Sequence, residues 1–191
     1  MDVRATAIPD VRVLEPRVFG DARGFFFESF NRRQLEAALG RRLEFVQDNH
    51  SLSGRGVLRG LHYQLPNPQG KLIRVVRGEA FDVAVDLRRG SRTLGRWTAE
   101  VLSAANKRQI WIPEGFGHGF LVLSEEAEVL YKTTDYWHPE HERCIRWDDP
   151  DLAIAWPAPG APPAVSAKDA VGKAFRDAPL FDVNGAGGAS T

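Results

Sequence analysis

Apolar residues recur along this chain in short runs of period two rather than in long stripes of helical period. The segments RVLEP, GFFFESF, LEFVQDNH, GVLRGLHYQ, KLIRVVRGE, AFDVAVDLR, GRWTAEVL, RQIWIPEG, GHGFLVLS, AEVLYKTTDYW and RCIRW read as strands, punctuated by Gly, Pro, Asn and Asp. Alternation is clearest where Phe81, Val83, Val85 and Leu87 share one face and Asp82, Ala84 and Asp86 the other. It recurs where Gln109, Trp111 and Pro113 alternate with Ile110 and Ile112. Many short strands at near-regular spacing predict an all-β sandwich or small barrel. Two stretches read as helix. In NRRQLEAALG, Asn31 caps the start, Leu35, Ala38 and Leu39 share a face, and Gly40 stops it. A second helix is expected through SAKDAVGKAF, with Ser166 as cap and Asp169 three residues on. PAPGAPP (157–163) reads as an irregular connector, and 181–191, ending in NGAGGAST, as a disordered tail.

The 191 residues suit one domain, expected over 1–180, with enough chain to bury a core unaided. Lys+Arg and Asp+Glu number 25 each, so the net charge is zero. That argues against long-range capture of nucleic acid or an anionic membrane, permits a local basic pocket, and leaves self-association unopposed by net charge. Cys144 is the one cysteine, which excludes an intramolecular disulfide and a multi-cysteine zinc site. MDVRATAIPDV holds no signal-peptide core, and no stretch approaches the ~20 apolar residues of a membrane span. A cytoplasmic location is the expectation. There is no internal repeat and no Gly-rich phosphate loop before a helix.

The candidate chemistry centres on histidine and on polar residues within apolar strands. His138 and His141 flank the polar turn WHPEHE and read as solvated; His50, at the end of QDNH before SLSGRG, stays open. His62 in GLHYQ fits either a core imidazole bonded to a carbonyl or a base. His118 sits in PEGFGHGF, whose P-x-G-x-x-H pattern is similar to the second half-motif of the cupins. Metal-binding cupins carry H-x-H in the first half-motif, but here the triplet is His62-Tyr63-Gln64, and an amide is a poor ligand. No metal is expected. Arg59, Lys71 and Tyr131 lie among apolar neighbours, so each either faces solvent or points inward with a partner or ligand. Simple alternation puts Arg59 and His62 on opposite faces. Gly60 between them predicts a bulge that turns both into one cavity; a straight strand with Arg59 facing away would count against it.

RGFFFESF, FVQDNHSLS, GVLRGLHYQ, QGKLIRVVRGEAFDVAVDLR, WIPEGFGHGF, LYKTTDYW and SAKDA stand in an order and spacing that resembles the dTDP-4-dehydrorhamnose 3,5-epimerases, a metal-free branch of the cupins. The resemblance runs from about Arg12 to Phe175. It implies a cupin-type jelly roll of two antiparallel sheets with a few short helices, and a cofactor-independent isomerase. The substrate it implies is dTDP-4-dehydro-6-deoxy-D-glucose, inverted at C3 and C5 toward L-rhamnose. Both hydrogens are alpha to the C4 ketone, so the chemistry asks for a base on one face, an acid on the other and a donor at the enolate oxygen.

By the same resemblance His62 is the general base, with an imidazole reference pKa of ~6.5 suited to the task. Asp169 holds its tautomer and stabilises the imidazolium. Tyr131 is the acid on the far side, and Lys71 stands near the enolate oxygen. His118 and Arg59 line the sugar and phosphate region. Arg23, Arg59 and Lys168 match phosphate contacts. Glu28, Gln47, Asn49 and Glu142 match polar contacts, while Phe26 and Tyr136 offer aromatic surface to the thymine. One departure stands at Tyr136-Trp137, where the family often reads Tyr-Tyr. The resemblance also implies a homodimer whose N-terminal strands cross to the neighbour's sheet, bringing Arg23, Phe26 and Glu28 near its cavity. Three other readings stay open: an epimerase acting on one carbon, a non-catalytic nucleotide-sugar-binding cupin, and a metal-dependent cupin oxygenase.

Overall fold

The computed structural model describes residues 1–158 and 160–182. Its strands begin with β1 (Asp2–Ala5), β2 (Arg12–Glu15), β3 (Phe19–Asp21), β4 (Gly24–Phe26), β5 (Gln47–Gly54), β6 (Leu58–Gln64), β7 (Lys71–Arg77) and β8 (Glu79–Asp86). They continue with β9 (Arg88–Arg89), β10 (Trp97–Ser103), β11 (Gln109–Ile112), β12 (Phe116–Val122), β13 (Glu126–Thr133), β14 (Glu142–Cys144) and β15 (Phe181–Asp182). A six-stranded antiparallel sheet, β1-β2-β11-β7-β13-β5, faces a five-stranded one, β10-β8-β12-β6-β14. This is the expected jelly roll. No helix among the described residues is long and apolar enough to cross a membrane.

Three apolar layers hold the sandwich. Ile73, Val75, Ile110, Ile112, Ala127 and Val129 of the larger sheet meet Ala80, Ala84, Phe120 and Val122 of the smaller. Outside the larger sheet, Trp111, Leu14 and Leu72 pack under Leu35 and Leu43. Outside the smaller one, Val83, Val85 and Leu87 pack with Ile145, Leu152 and Phe181 from the C-terminal third. Both faces of β8 are therefore covered, and the face between the sheets is the one that carries Asp82 and Ala84. The apolar face of β8 was free to lie outward because the C-terminal segment covers it.

The helix α1 (Arg32–Leu39) matches expectation: Asn31 accepts from the Gln34 N–H, and Gly40 ends it at φ 66°. The second helix is much shorter than expected. The helix α2 (Ala167–Ala170) keeps Ser166 as cap but stops before VGKAF. The chain leaves the helix to pair instead, with Lys173 N–H donating to Cys144 O at 2.9 Å and Arg146 N–H to Lys173 O at 2.9 Å. Gly172 makes this approach possible, since a Cβ there would lie 2.7 Å from Arg146 N. Two strand readings also shift. GFFFESF is extended only over β4, and SLSG continues β5, so the turn falls at Arg55–Gly56. Within the expected tail, Phe181 and Asp182 pair in parallel with Arg88 and Arg89. The rest of the expected tail, 183–191, lies outside the described residues.

The bulge at Gly60 is present. On β6 and β12, His62 pairs with His118 and Arg59 with Phe120, so Gly60 and Leu61 together face the single residue Gly119. Gly60 has φ +124°, and a Cβ there would stand 2.6 Å from Gly119 Cα and 2.7 Å from His118 O. Glycine is needed both for the conformation and for the close approach.

Candidate active site

The two sheets contribute different chemistry to one cavity of about 250 Å³. From the smaller sheet come Arg59 and His62 on β6 and His118 on β12; from the larger come Lys71 on β7 and Tyr131 on β13. Tyr131 and Lys71 share the inward parity of buried Val129 and Ile73, which settles their orientation against the solvent-facing alternative. Arg59 and His62 border the same space, as the bulge predicts. A wider groove of about 830 Å³, near Arg41 and Glu114, holds none of these residues; chemistry rather than size selects the smaller one.

His62 is held from behind. Its Nε2 lies 2.6 Å from Asp169 Oδ1, across 107 positions of sequence. The cap at Ser166 starts the short turn that delivers Asp169, which is 2% exposed. Gly60 N–H donates to the other carboxylate oxygen at 3.4 Å, so the bulge also supports the dyad. Burial alone would raise the Asp169 pKa, but the His62 hydrogen bond and charge and the Gly60 amide outweigh it and hold the carboxyl low. With Nε2 engaged, Nδ1 is the nitrogen left to take a proton.

Lys71 is 8% exposed, and burial lowers its pKa to about 8 against the opposing charges of Asp82 and Glu142. Burial raises the Tyr131 pKa, aided by Glu142 and opposed by Arg59, so the phenol carries its proton throughout the neutral range. A second buried pair joins His118 Nε2 to Asp82 Oδ2 at 2.9 Å, and burial lowers the His118 pKa despite that partner. Asp82 Oδ1 is buried without a hydrogen bond. At the mouth, Lys168 Nζ lies 2.6 Å from Glu142 Oε1, and Trp137 Nε1–H donates to Glu142 Oε2 at 3.3 Å. Arg59 Nε–H donates to Ser53 Oγ at 3.0 Å, leaving the rest of its guanidinium toward the cavity.

The other expected positions are less close. Gln47 accepts from Trp137 N–H at 3.0 Å and donates to Asn49 at 2.9 Å. Asn49 borders a smaller cavity of about 200 Å³ that also touches Tyr131. Arg23, Phe26 and Glu28 do not line the main cavity: Arg23 pairs with Asp21 on the exposed β3–β4 hairpin, and Glu28 accepts from Asn31 and Gln34. Both residues of the aromatic pair are exposed, and Trp137 rather than Tyr136 lines the cavity. Sequence reasoning named Trp137 only as a departure from the family and gave no role to Gln69, Phe120 or Asp82. Only Asp82 left a signal, as the acidic residue on a strand face otherwise fit for the core.

The metal question turns on Gln64, which fills the second position of the H-x-H pattern. Its amide donates to Asn67 O at 2.8 Å and Tyr136 O at 3.0 Å and accepts from His138 N–H at 2.8 Å. Both ends of the amide are committed to fastening loops. Among the described residues two groupings bring donor atoms together: His62, Cys144 and Asp169, and His138, Glu140 and His141. In the first, burial and then the Asp169 charge push the Cys144 thiol up to about 12, so it is not a thiolate at neutral pH.

Comparison with known proteins bears on the same features. Residues 5–177 match the family model for dTDP-4-dehydrorhamnose 3,5-epimerase. The chain is 66% identical to a dTDP-4-dehydrorhamnose 3,5-epimerase of Pseudomonas aeruginosa, over 95% of this chain and 99% of the relative. It is 50% identical to a Legionella pneumophila dTDP-6-deoxy-D-glucose-3,5-epimerase solved with dTDP-4-keto-L-rhamnose, with TM-score 0.92 and coverage of 95% and 97%. It also resembles a 3'-monoepimerase of Streptomyces bikiniensis solved with dTDP-quinovose, at 33% identity, TM-score 0.85 and coverage of 91% and 87%.

Proposed function

The chain belongs to the dTDP-4-dehydrorhamnose 3,5-epimerase family, and from that premise we infer how it inverts C3 and C5 of dTDP-4-dehydro-6-deoxy-D-glucose to give dTDP-4-dehydro-L-rhamnose. His62 removes the hydrogen alpha to the C4 ketone, with the proton going to the free ring nitrogen. Asp169 stabilises the imidazolium that results. The electron pair moves onto the C4 oxygen, where the buried Lys71 ammonium stabilises it. Tyr131 returns a proton to the opposite face of the same carbon. One proton leaves and one arrives, so the step balances without an oxidant or reductant. The observation that carries this reading is the opposed placement: the imidazole, backed by the Asp169 carboxylate from α2, stands on one sheet, and the phenol and ammonium on the other, around a single cavity.

The nucleotide end falls to the mouth. Arg59 and Lys168 supply positive charge for a diphosphate, with Glu142 placing Lys168 and Trp137 offering a flat surface. Arg23, Phe26 and Glu28 fit this scheme only in a homodimer. Strand β1 is an open edge of the larger sheet, and Phe19, Phe25 and Phe26 are exposed on the β3–β4 hairpin. A second copy covering them would bring the three residues to its own cavity.

Turnover in D₂O tests the reaction. Two deuterons in the product, at C3 and C5, are expected by NMR. One deuteron would assign the chain to the single-carbon epimerases, and none to a binding role. Lys71→Met is expected to lower kcat by on the order of 10²–10³. Because burial places the ammonium near pKa 8, its protonated fraction fades as pH rises through that value. The kcat profile of the native chain should therefore fall on this alkaline side, and Lys71→Met should lack the fall. A variant that keeps the alkaline limb would remove Lys71 from the oxyanion role.

A further inference from the structure

The turn that separates Trp137 from Glu142 carries two imidazoles that the epimerase chemistry does not use. His138 precedes a 3₁₀ turn, Pro139–His141, and His141 ends it with Glu140 between. The expectation of solvated rings holds only in part, since the His138 and His141 side chains are 33% and 26% exposed. The rings lie 5.2 Å apart with 32° between their planes. Glu140 Oε1 stands 3.7 Å from His138 Nδ1 and 3.9 Å from His141 Nε2. Asp135 Oδ1 is 3.8 Å from His138 Nε2.

These separations exceed a good hydrogen bond. They approach the donor–donor edge of a zinc tetrahedron, which bonds of ~2.0–2.1 Å set at roughly 3.4 Å. His141 Nδ1 is buried with no partner, which leaves Nε2, the nitrogen beside Glu140, as the one that can face an ion. The backbone beneath is fixed. His138 N–H donates to Gln64 Oε1 at 2.8 Å, His141 N–H to His138 O at 3.0 Å, and Leu65 N–H to His141 O at 3.0 Å. A rigid backbone lowers the ordering cost of bringing three donors to one ion. Two imidazoles and one carboxylate select zinc, nickel or copper over calcium and magnesium, which prefer all-oxygen shells.

We propose that His138, Glu140 and His141 form a binding site for one divalent transition-metal ion at the rim of the cavity. The site is separate from the His62–Asp169 pair and does not depend on the epimerase assignment. An ion bound there ties together the turn whose two ends, Trp137 and Glu142, border the cavity.

Calorimetric titration of the tag-free, chelator-stripped chain with ZnCl₂ tests this. One ion per chain is expected, with CaCl₂ giving no heat of binding. His138→Ala and Glu140→Gln should each weaken zinc binding about tenfold or more, while His50→Ala, which removes an exposed imidazole paired with Glu128, should not. Thermal unfolding supplies a second readout: zinc should raise the Tm of the native chain and not that of His138→Ala. Absence of stoichiometric binding would overturn the proposal, as would equal affinity in His138→Ala. Binding lost in Cys144→Ser but kept in His138→Ala would place the ion on the His62 grouping and overturn it as well.

Discussion

His62→Ala is expected to lose both deuterium exchange at C3 and C5 and net epimerisation, each by on the order of 10²–10⁴. The two losses must coincide because both begin with the same proton removal. The substitution also leaves Asp169 buried without its main partner. A stability loss on the order of 2 kcal/mol is expected, reduced from the fully buried case because the ring is about one-quarter exposed. His62→Gln separates the two effects. Its longer amide places an N–H where Nε2 stood, so it can still donate to Asp169 but cannot accept a proton near neutrality, and stability should largely return while activity stays lost. Substantial exchange in folded His62→Gln, followed by NMR in D₂O, would show that another group is the base.

Tyr131→Phe should split the reaction instead. The ring is kept, so packing against the core beside Val129 and Ile73 is nearly unchanged. The base and Lys71 remain, and enolate formation continues. The proton on the opposite face is missing, so His62 returns hydrogen to the side from which it came. Product formation is expected to fall by on the order of 10²–10⁴, while wash-in of deuterium into recovered substrate falls less. Equal loss of exchange and inversion would point to Tyr131 as a positioning group, and unchanged turnover would exclude it as the acid.

Local signals in the chain carried far for some elements and stopped short for others. The cap at Asn31 and the stop at Gly40 mark α1 because capping depends on atoms within four residues. The bulge at Gly60 was legible for a similar reason, since a glycine between two polar residues in an apolar strand flags a break in parity. The expected length of α2 read past Val171 and Gly172, both weak helix formers; what the sequence does not show is the pairing of Lys173 with Cys144 and Arg146 that carries the chain away. The same limit applies to Tyr136 and Trp137: both are aromatic, and only the loop held by Gln47 and Gln64 turns Trp137 to the cavity.

The order of strands, the polar residues planted within them and the likeness of whole segments to one epimerase family were determined by sequence alone, because each is written in neighbouring residues. Which of those polar residues meet was decided by the tertiary structure. His62 and Asp169 stand 107 positions apart and touch at 2.6 Å, and Lys71 and Tyr131 face them from a different sheet. Contacts of that kind depend on how two sheets stack and where a distant turn docks, which are set by burial across the whole molecule and leave no local pattern to read.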